Sequence, residues 1–311
     1  ETVTFLLLLG TSSTTHSFTL PLRNKIPTTT TSLHLSKTLT PSPSTTVGVV
    51  GNGYVSVLSA KLAALRGYGT WLIHPPDQKD TILSLLGETP PPNLTLIPST
   101  STDELLPSQL EKTSALIIAT DSPNMVMDGD VVRYLLQPEN APQMERVVAM
   151  SRNLNGKGMG FFVKSSQVSA NSEVWSADAG IVAEYRQYEN DVTSACERLG
   201  AACTIVRAGT LKGGACGEDA YPQYLSRVYY DMTKKDLVTW QLLFDCKTRG
   251  VVLEKGDVMC GPGLKAVFTA TSAEVCEGDT GRCGICEAMV RSLEVEGCAG
   301  MDFGVGTKES R

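Results

Sequence analysis

The segment TVGVVGNGYVSVLSAKLAALRGYGTWLIHPP, residues 46–76, restricts the fold more than any other part of the chain. Thr46–Val50 is a short, β-branched run of the kind that forms a buried parallel strand. Residues 51–53, GNG, fit a tight turn, and YVSVLSAKLAALRGYG has helical propensity and ends at glycines suited to a C-cap. Thr70–Pro76 then reads as a second strand, stopped by prolines. Strand, turn, helix and strand in this order make a βαβ unit, and a unit of this kind demands a parallel sheet with helices on its faces.

The alternation continues through the next 130 or so residues. Asn93–Pro98 is a third strand candidate, TDELLPSQLEK a short helix, and Ser114–Thr120 an apolar run of strand length followed by the turn DSPN. MVMDGDVVRYLLQ reads as a helix, Glu145–Ser151 as a fifth strand, SADAGIVAEYRQYENDVTSACERLG as a helix and Ala202–Gly209 as a sixth strand. The expected fold is therefore a doubly wound parallel sheet, Rossmann-like, with a small C-terminal helical lobe. The expected divisions are an unpacked segment over 1–45, the sheet domain over 46–215, and a lobe over 216–311 that completes the fold and covers the pocket. Ligands of such sheets bind outside the carboxyl ends of the strands, where Gly51, His74, Thr120, Ser151 and Ala208 would collect.

The first turn has the spacing G-x-G-x-x-S-x-x-x-A, with Gly51, Gly53, Ser56 and Ala60. Gly51 permits the sharp turn, Gly53 lets backbone N–H groups approach a pyrophosphate, and the helix N-terminus supplies a positive dipole for it. Ser56 stands where a third glycine usually allows close helix–strand packing. Expected dinucleotide contacts are Gly51, Asn52, Gly53, Tyr54, Val55 and Ser56 from this turn, with His74 and Thr120 from the neighbouring strand ends. Gly53→Val is expected to abolish binding with little loss of fold. At the end of the second strand an acidic residue normally holds the adenosine ribose of NAD, and here His74 or Pro75 occupies that point. A histidine tolerates a 2′-phosphate where a carboxylate repels it, which tilts the reading toward NADP(H) over NAD(H). The competing reading is a Rossmann-like layer that has lost its nucleotide, with His74 as a strand-end residue.

RVVAMS, then a tyrosine-bearing helix, then LGAACTIVRAGTLKGG resembles the atypical short-chain dehydrogenase/reductases, and within them the NmrA-like, NAD(P)H-binding branch. The resemblance covers residues 46–214 and, more loosely, the remainder, where GDTGRCGICEAMVRSL is similar to the family's C-terminal helix. It implies a serine at the end of the fifth strand and a Tyr-x-x-x-Lys on the following helix. The tyrosine exchanges the proton, and the lysine lowers its pKa and holds the nicotinamide ribose. Ser151 and Tyr185 fall on the first two positions, as candidate catalytic residues, but Glu189 falls on the lysine's, and the register from Tyr188 gives Val192. A carboxylate there would raise the phenol's pKa, so the usual mechanism is expected to be impaired. Two functions follow from the resemblance: an oxidoreductase acting on an unidentified small molecule, or a nucleotide-binding redox-sensing or structural subunit, or assembly factor, of a plastid complex. Glu189→Lys is the substitution expected to separate them.

The bulk properties narrow the partners. A net charge of −6 over 311 residues argues against nucleic acid, whose binding needs a basic face. No segment of the expected mature chain approaches a membrane span. Residues 1–46 are rich in Thr, Ser, Pro and Leu and carry no acidic residue after Glu1. TFLLLLG resembles a signal-peptide core, and TLPLRNKIPTTTTSLHLSKTL after Phe18 is basic and hydroxyl-rich, as transit peptides are. The pair reads as a bipartite address to the plastid stroma, as in algae with complex plastids, with a disordered polar tail as the alternative. All nine cysteines lie beyond residue 195. Cys283-x-x-Cys286, with Cys276 and Cys298 around it, lacks the paired spacing of a zinc ribbon, so buried helix packing is expected and no metal. The aromatics Tyr221, Tyr224, Tyr229, Tyr230, Trp240 and Phe244 would wall a pocket or fill the lobe.

Overall fold

The computed structural model describes residues 38–87, 89–122, 125–154, 171, 174, 180–212, 250–255 and 280–308. Their order is β1 (Thr46–Asn52), α1 (Gly53–Leu65), β2 (Gly69–His74), α2 (Lys79–Leu86), β3 (Leu94–Pro98), α3 (Thr102–Leu110), β4 (Thr113–Thr120), α4 (Gly129–Leu135) and β5 (Arg146–Arg152). There follow α5 (Gly180–Leu199), β6 (Ala202–Ala208), β7 (Leu211–Lys212), β8 (Gly250–Lys255), β9 (Thr280–Gly281), α6 (Arg282–Ser292) and β10 (Asp302–Lys308). The main sheet runs β3-β2-β1-β4-β5-β6-β10-β8. Its first seven strands are parallel and β8 closes the edge antiparallel to β10. A short parallel pair, β7 with β9, stands beside it.

Period-two alternation assigns each strand's side chains to two layers. Val47 and Val49 of β1, with Ile117 of β4, face a core shared by Val55, Leu58 and Leu62 of α1 and Ile285, Met289 and Val290 of α6. Val50, Leu116 and Ile118 face the other layer, filled by Leu106 and Leu110 of α3, Leu135 of α4 and Val192 of α5. Helix α1 is buried on nearly every side, because α6 and the sheet enclose it. That burial explains the apolar composition of the helix after the GNG turn.

Two boundaries differ from the expectation. Folded chain reaches back at least to Leu39, which is buried in the α1/α6 layer and donates its N–H to Leu293 O at 3.0 Å. The unpacked segment therefore does not extend to residue 45. The described part of the expected C-terminal lobe is also not a separate layer: β8 and β10 join the main sheet, and β10 and α6 pack into its core. β10, DFGVGTK, escapes a pattern reading because its glycines and Asp302 lower strand propensity; it forms a strand because it lies between β6 and β8. The aromatic set from Tyr221 to Phe244, and Cys216, Cys246, Cys260 and Cys276, lie outside the described residues. Cys286 is buried and Cys283 half-buried, both as free thiols, and burial pushes the Cys286 thiol up to about 12. Among the described residues no helix is long and apolar enough to cross a membrane.

The sheet is tightly packed at Trp71. A Cβ added at Gly48 would lie 2.2 Å from the Trp71 ring, and Trp71 Nε1 donates to Thr113 Oγ1 at 3.0 Å, which ties the ring in place. Gly48→Ala should therefore lower stability by about 1–3 kcal/mol through overpacking. Urea unfolding followed by tryptophan emission measures it, and an unchanged midpoint would contradict this account of the β1–β2 contact.

Candidate functional site

The sheet order reverses at β1. Chain leaving β1 winds outward through β2 to β3, then returns across the sheet to β4 on the other side of β1. That crossover opens a crevice at the carboxyl ends of β1 and β4, the place where open α/β sheets bind ligands. In register, Gly51 pairs with Ala119 and Asn52 with Thr120, so the GNG turn and the end of β4 share one edge. Parallel pairing also sets His74 at the end of β2 beside the same turn.

Both glycines of the turn have internal reasons to be glycine. Gly51 has φ +142° and a Cβ there would lie 1.7 Å from Ala119 O. Gly53 has φ +72° and its Cβ would lie 2.5 Å from Asp121 Cβ. A valine at 53 would therefore disturb the turn itself, so Gly53→Val would not leave the fold intact as expected from sequence. Ser56, in place of the third glycine, is buried, and its Oγ donates to Gly53 O at 2.9 Å. The serine satisfies itself inside the helix, which is why the exchange is tolerated.

A cavity of about 20 Å³ is lined by Gly51, Asn52, Gly53, Ser56, His74 and Gln78 among others. A second, of about 140 Å³, lies between Val50, Ile73, Thr120, Met127, Val131 and Leu135. The two share Gly51, Asn52 and Ile73 in their walls. His74 is 1% exposed. Its Nδ1 stands 2.8 Å from Pro75 O, a group that can only accept, so Nδ1 carries the proton. Its Nε2 is buried with no hydrogen-bond partner among the described residues. A polar atom left in this way is costly unless something meets it.

Sequence reasoning passed over Asp121 and Arg282. Asp121 follows β4 directly, in a position read from sequence as a turn. Its Oδ2 accepts from Tyr54 N–H at 3.1 Å, and Arg282 Nε donates to its Oδ1 and Oδ2 at 3.1 and 3.0 Å. Its own N–H reaches Asn52 Oδ1 at 3.1 Å, and Arg152 donates to its carbonyl. A carboxylate immediately beyond an apolar strand that ends at the ligand edge was the available signal.

Ser151 and Tyr185 each have hydrogen-bond partners within the protein. Ser151 Oγ donates to Glu189 Oε1 at 2.6 Å, and Tyr185 hydroxyl lies 3.4 Å from the carbonyls of Ser122 and Met125. Both residues are buried. Glu189, the residue the resemblance sets where a lysine is implied, lies on α5, and its charge is answered from β6. Arg207 Nε and Nη2 each donate to it at 2.9 Å, and Arg186 Nη1 adds a bond at 3.1 Å. Arg207 also pairs with Asp302 on β10. Burial by itself would raise the Glu189 pKa, but the hydrogen bonds from Arg207 and Ser151 outweigh it and hold the carboxyl below its ordinary range. Glu189 is thus half of a buried ion pair that ties α5 to the sheet.

No protein-family model matches this chain, and no curated protein does. Solved structures do resemble it. Gre2 from Candida albicans is 11% identical with a TM-score of 0.50, over 86% of this chain and 79% of that one. A short-chain dehydrogenase/reductase of the wide type from Veillonella parvula, determined with NADP, is 13% identical with a TM-score of 0.48, over 84% of this chain and 94% of that one. NmrA, a negative transcriptional regulator determined with NADP, is 17% identical with a TM-score of 0.35, over 54% of this chain and 46% of that one. At such identities the likeness is one of architecture.

Because Glu189 is paired with Arg207 where side-chain exposures are 10% and 9%, Glu189→Lys sets two cations together and should cost about 3–5 kcal/mol instead of restoring an active site. A carboxyl held below its ordinary pKa stabilises the fold above the usual glutamate range, and that contribution is lost as pH falls through the lowered value. Thermal melts across acid pH should show the parent losing more stability than Glu189→Gln does. Equal losses would contradict the pairing. The chain therefore has a Rossmann-like, doubly wound parallel sheet, a fold it shares with Gre2 from Candida albicans.

Proposed function

We propose that this chain binds a nicotinamide dinucleotide across the β1–β4 crevice, NADP(H) in preference to NAD(H). The observation that carries the reading is His74 Nε2, a buried atom without a partner among the described residues, on the wall of the cavity formed by the GNG turn. The first turn of α1, Gly53 to Ser56, is the part of the fold suited to the pyrophosphate. The larger cavity, walled by Val50, Ile73, Thr120, Met127, Val131 and Leu135, suits a flat apolar base. His74 lies where the adenosine ribose would sit. With Nδ1 committed to Pro75, Nε2 is the ring atom left to meet a polar group at that ribose.

Turnover is a separate matter. A bound dinucleotide would supply hydride chemistry, but the proton side of a reductase reaction needs a hydroxyl pair free to act on the substrate. Ser151 gives its proton to Glu189, and no lysine stands four residues after Tyr185. General acid–base help worth roughly 10²–10⁴-fold is then missing. This favours the second reading, a nucleotide-binding subunit, redox sensor or assembly factor, over an oxidoreductase acting briskly on a small molecule. On composition, the N-terminal segment, read from sequence as 1–45, would deliver the chain to a plastid stroma. A reporter fused behind that segment and remaining in the cytosol of a host with complex plastids would remove this part of the proposal.

NADPH should bind tighter than NADH by roughly 10-fold or more, the value of one charge-assisted hydrogen bond. His74→Asp should reverse the ratio, since a carboxylate there would repel a 2′-phosphate. Calorimetric titrations of both cofactors into parent and variant decide the point. A ratio that His74→Asp leaves unchanged would remove His74 from the site.

A further inference from the structure

The N-terminus of α1, where a diphosphate would be received, already faces a fixed negative charge. Asp121 Oδ2 accepts from the Tyr54 amide in the first turn of α1, and Arg282, the first residue of α6, grips both oxygens of the same carboxylate. The Asp121 and Arg282 side chains are 10% and 15% exposed. The Arg282 guanidinium also lies over the Tyr54 ring, 5.7 Å from its centroid. The Asp121 backbone is held in place, since Asn52 receives the Asp121 N–H and Arg152 binds its carbonyl. Asp121 is thus an anion bound to a helix N-terminus and an arginine, the two groups most often used to hold phosphate. The neighbouring His74 Nε2, buried and unpartnered among the described residues on the wall of the cavity shared with Gly53 and Ser56, independently marks this turn as a place for a ligand.

We propose that Asp121 is an internal competitor for the diphosphate, and that Arg282 is a phosphate-binding residue that exchanges Asp121 for the ligand. The inference rests on the dinucleotide reading above and adds to it two residues and a mechanism of admission. A diphosphate entering beside an undisplaced Asp121 would set two anions around one guanidinium and one amide. Entry therefore requires the Asp121 side chain to turn away. Its carboxylate then leaves Tyr54 N–H and Arg282 to the phosphate oxygens, and β4 and α6 are released from their direct link through this pair. Removing the charge at 121 should consequently improve binding, whereas removing the charge at 282 should weaken it. A merely structural ion pair behaves differently: breaking it from either side has the same sign.

The test is calorimetric titration of the full chain with NADPH, NADH and inorganic pyrophosphate, for the parent, Asp121→Asn, Arg282→Gln and the double variant. Asp121→Asn should bind all three at least about 10-fold tighter, since it frees a charged hydrogen-bonding site. Arg282→Gln should bind more weakly than the parent, and the double variant more weakly than Asp121→Asn alone. Should Asp121→Asn fail to fold by circular dichroism, Asp121→Ser keeps an acceptor for Tyr54 N–H without the charge and carries the same expectation. A parent that binds NADPH while the folded uncharged variant binds no tighter overturns the competitor role and leaves the dinucleotide reading standing. Equal weakening by the substitutions at 121 and 282 overturns it likewise. Absence of binding by parent and variants alike overturns both, and binding by Asp121→Asn where the parent shows none supports both.

Discussion

The close approach of β1 to β4 at Gly51 governs the rest of the site. Any side chain at that residue would meet Ala119 O, so only glycine lets the last residues of β1 run in register against β4 as far as Asn52 and Thr120. That register carries the turn, the first amides of α1 and the end of β4 to one edge. It also decides where Asp121 stands, since the residue after Thr120 is then forced against Tyr54. Loss of the approach would separate helix N-terminus and carboxylate, and the crevice between them would lose its shape.

A second constraint sits across the sheet. Ser151 and Arg207 are partners in the β5–β6 ladder, and both reach Glu189 on α5. Where a reductase scaffold would place a lysine to activate a tyrosine, this chain has placed an anion and supplied the cation from the sheet. The result is electrically balanced and buried, good for holding α5 against β5 and β6 and poor for moving a proton to a substrate. The two edges of the sheet differ: the β1–β4 end keeps an open cavity, and the β5–β6 end is filled by the Ser151–Glu189–Arg207 cluster.

The arrangement was legible in sequence where one residue decides one thing. Strand-length runs of Val, Ile and Leu placed β1, β4, β5 and β6 to within about two residues, because burial on both faces leaves a continuous apolar signature. The GNG turn announced the crevice. β10 was hidden, since a strand held by neighbours on both sides needs no propensity of its own. Leu39 was hidden for a similar reason: a single buried side chain in a polar segment leaves no pattern. Asp121–Arg282 and Glu189–Arg207 were hidden because their partners lie 161 and 18 residues apart, and only the fold brings them together. Glu189 was visible as a departure from the reductase pattern, but what it did with its charge was not.

Hydrogen–deuterium exchange with and without NADPH tests the central claim most directly, because it reads the location of binding as well as its presence. The account predicts added protection confined to the turn and first part of α1, residues 51–58, to the end of β2 around His74, and to the strand end at Thr120 and Asp121. Protection concentrated elsewhere, or none at NADPH concentrations that saturate other dinucleotide-binding proteins, would contradict it.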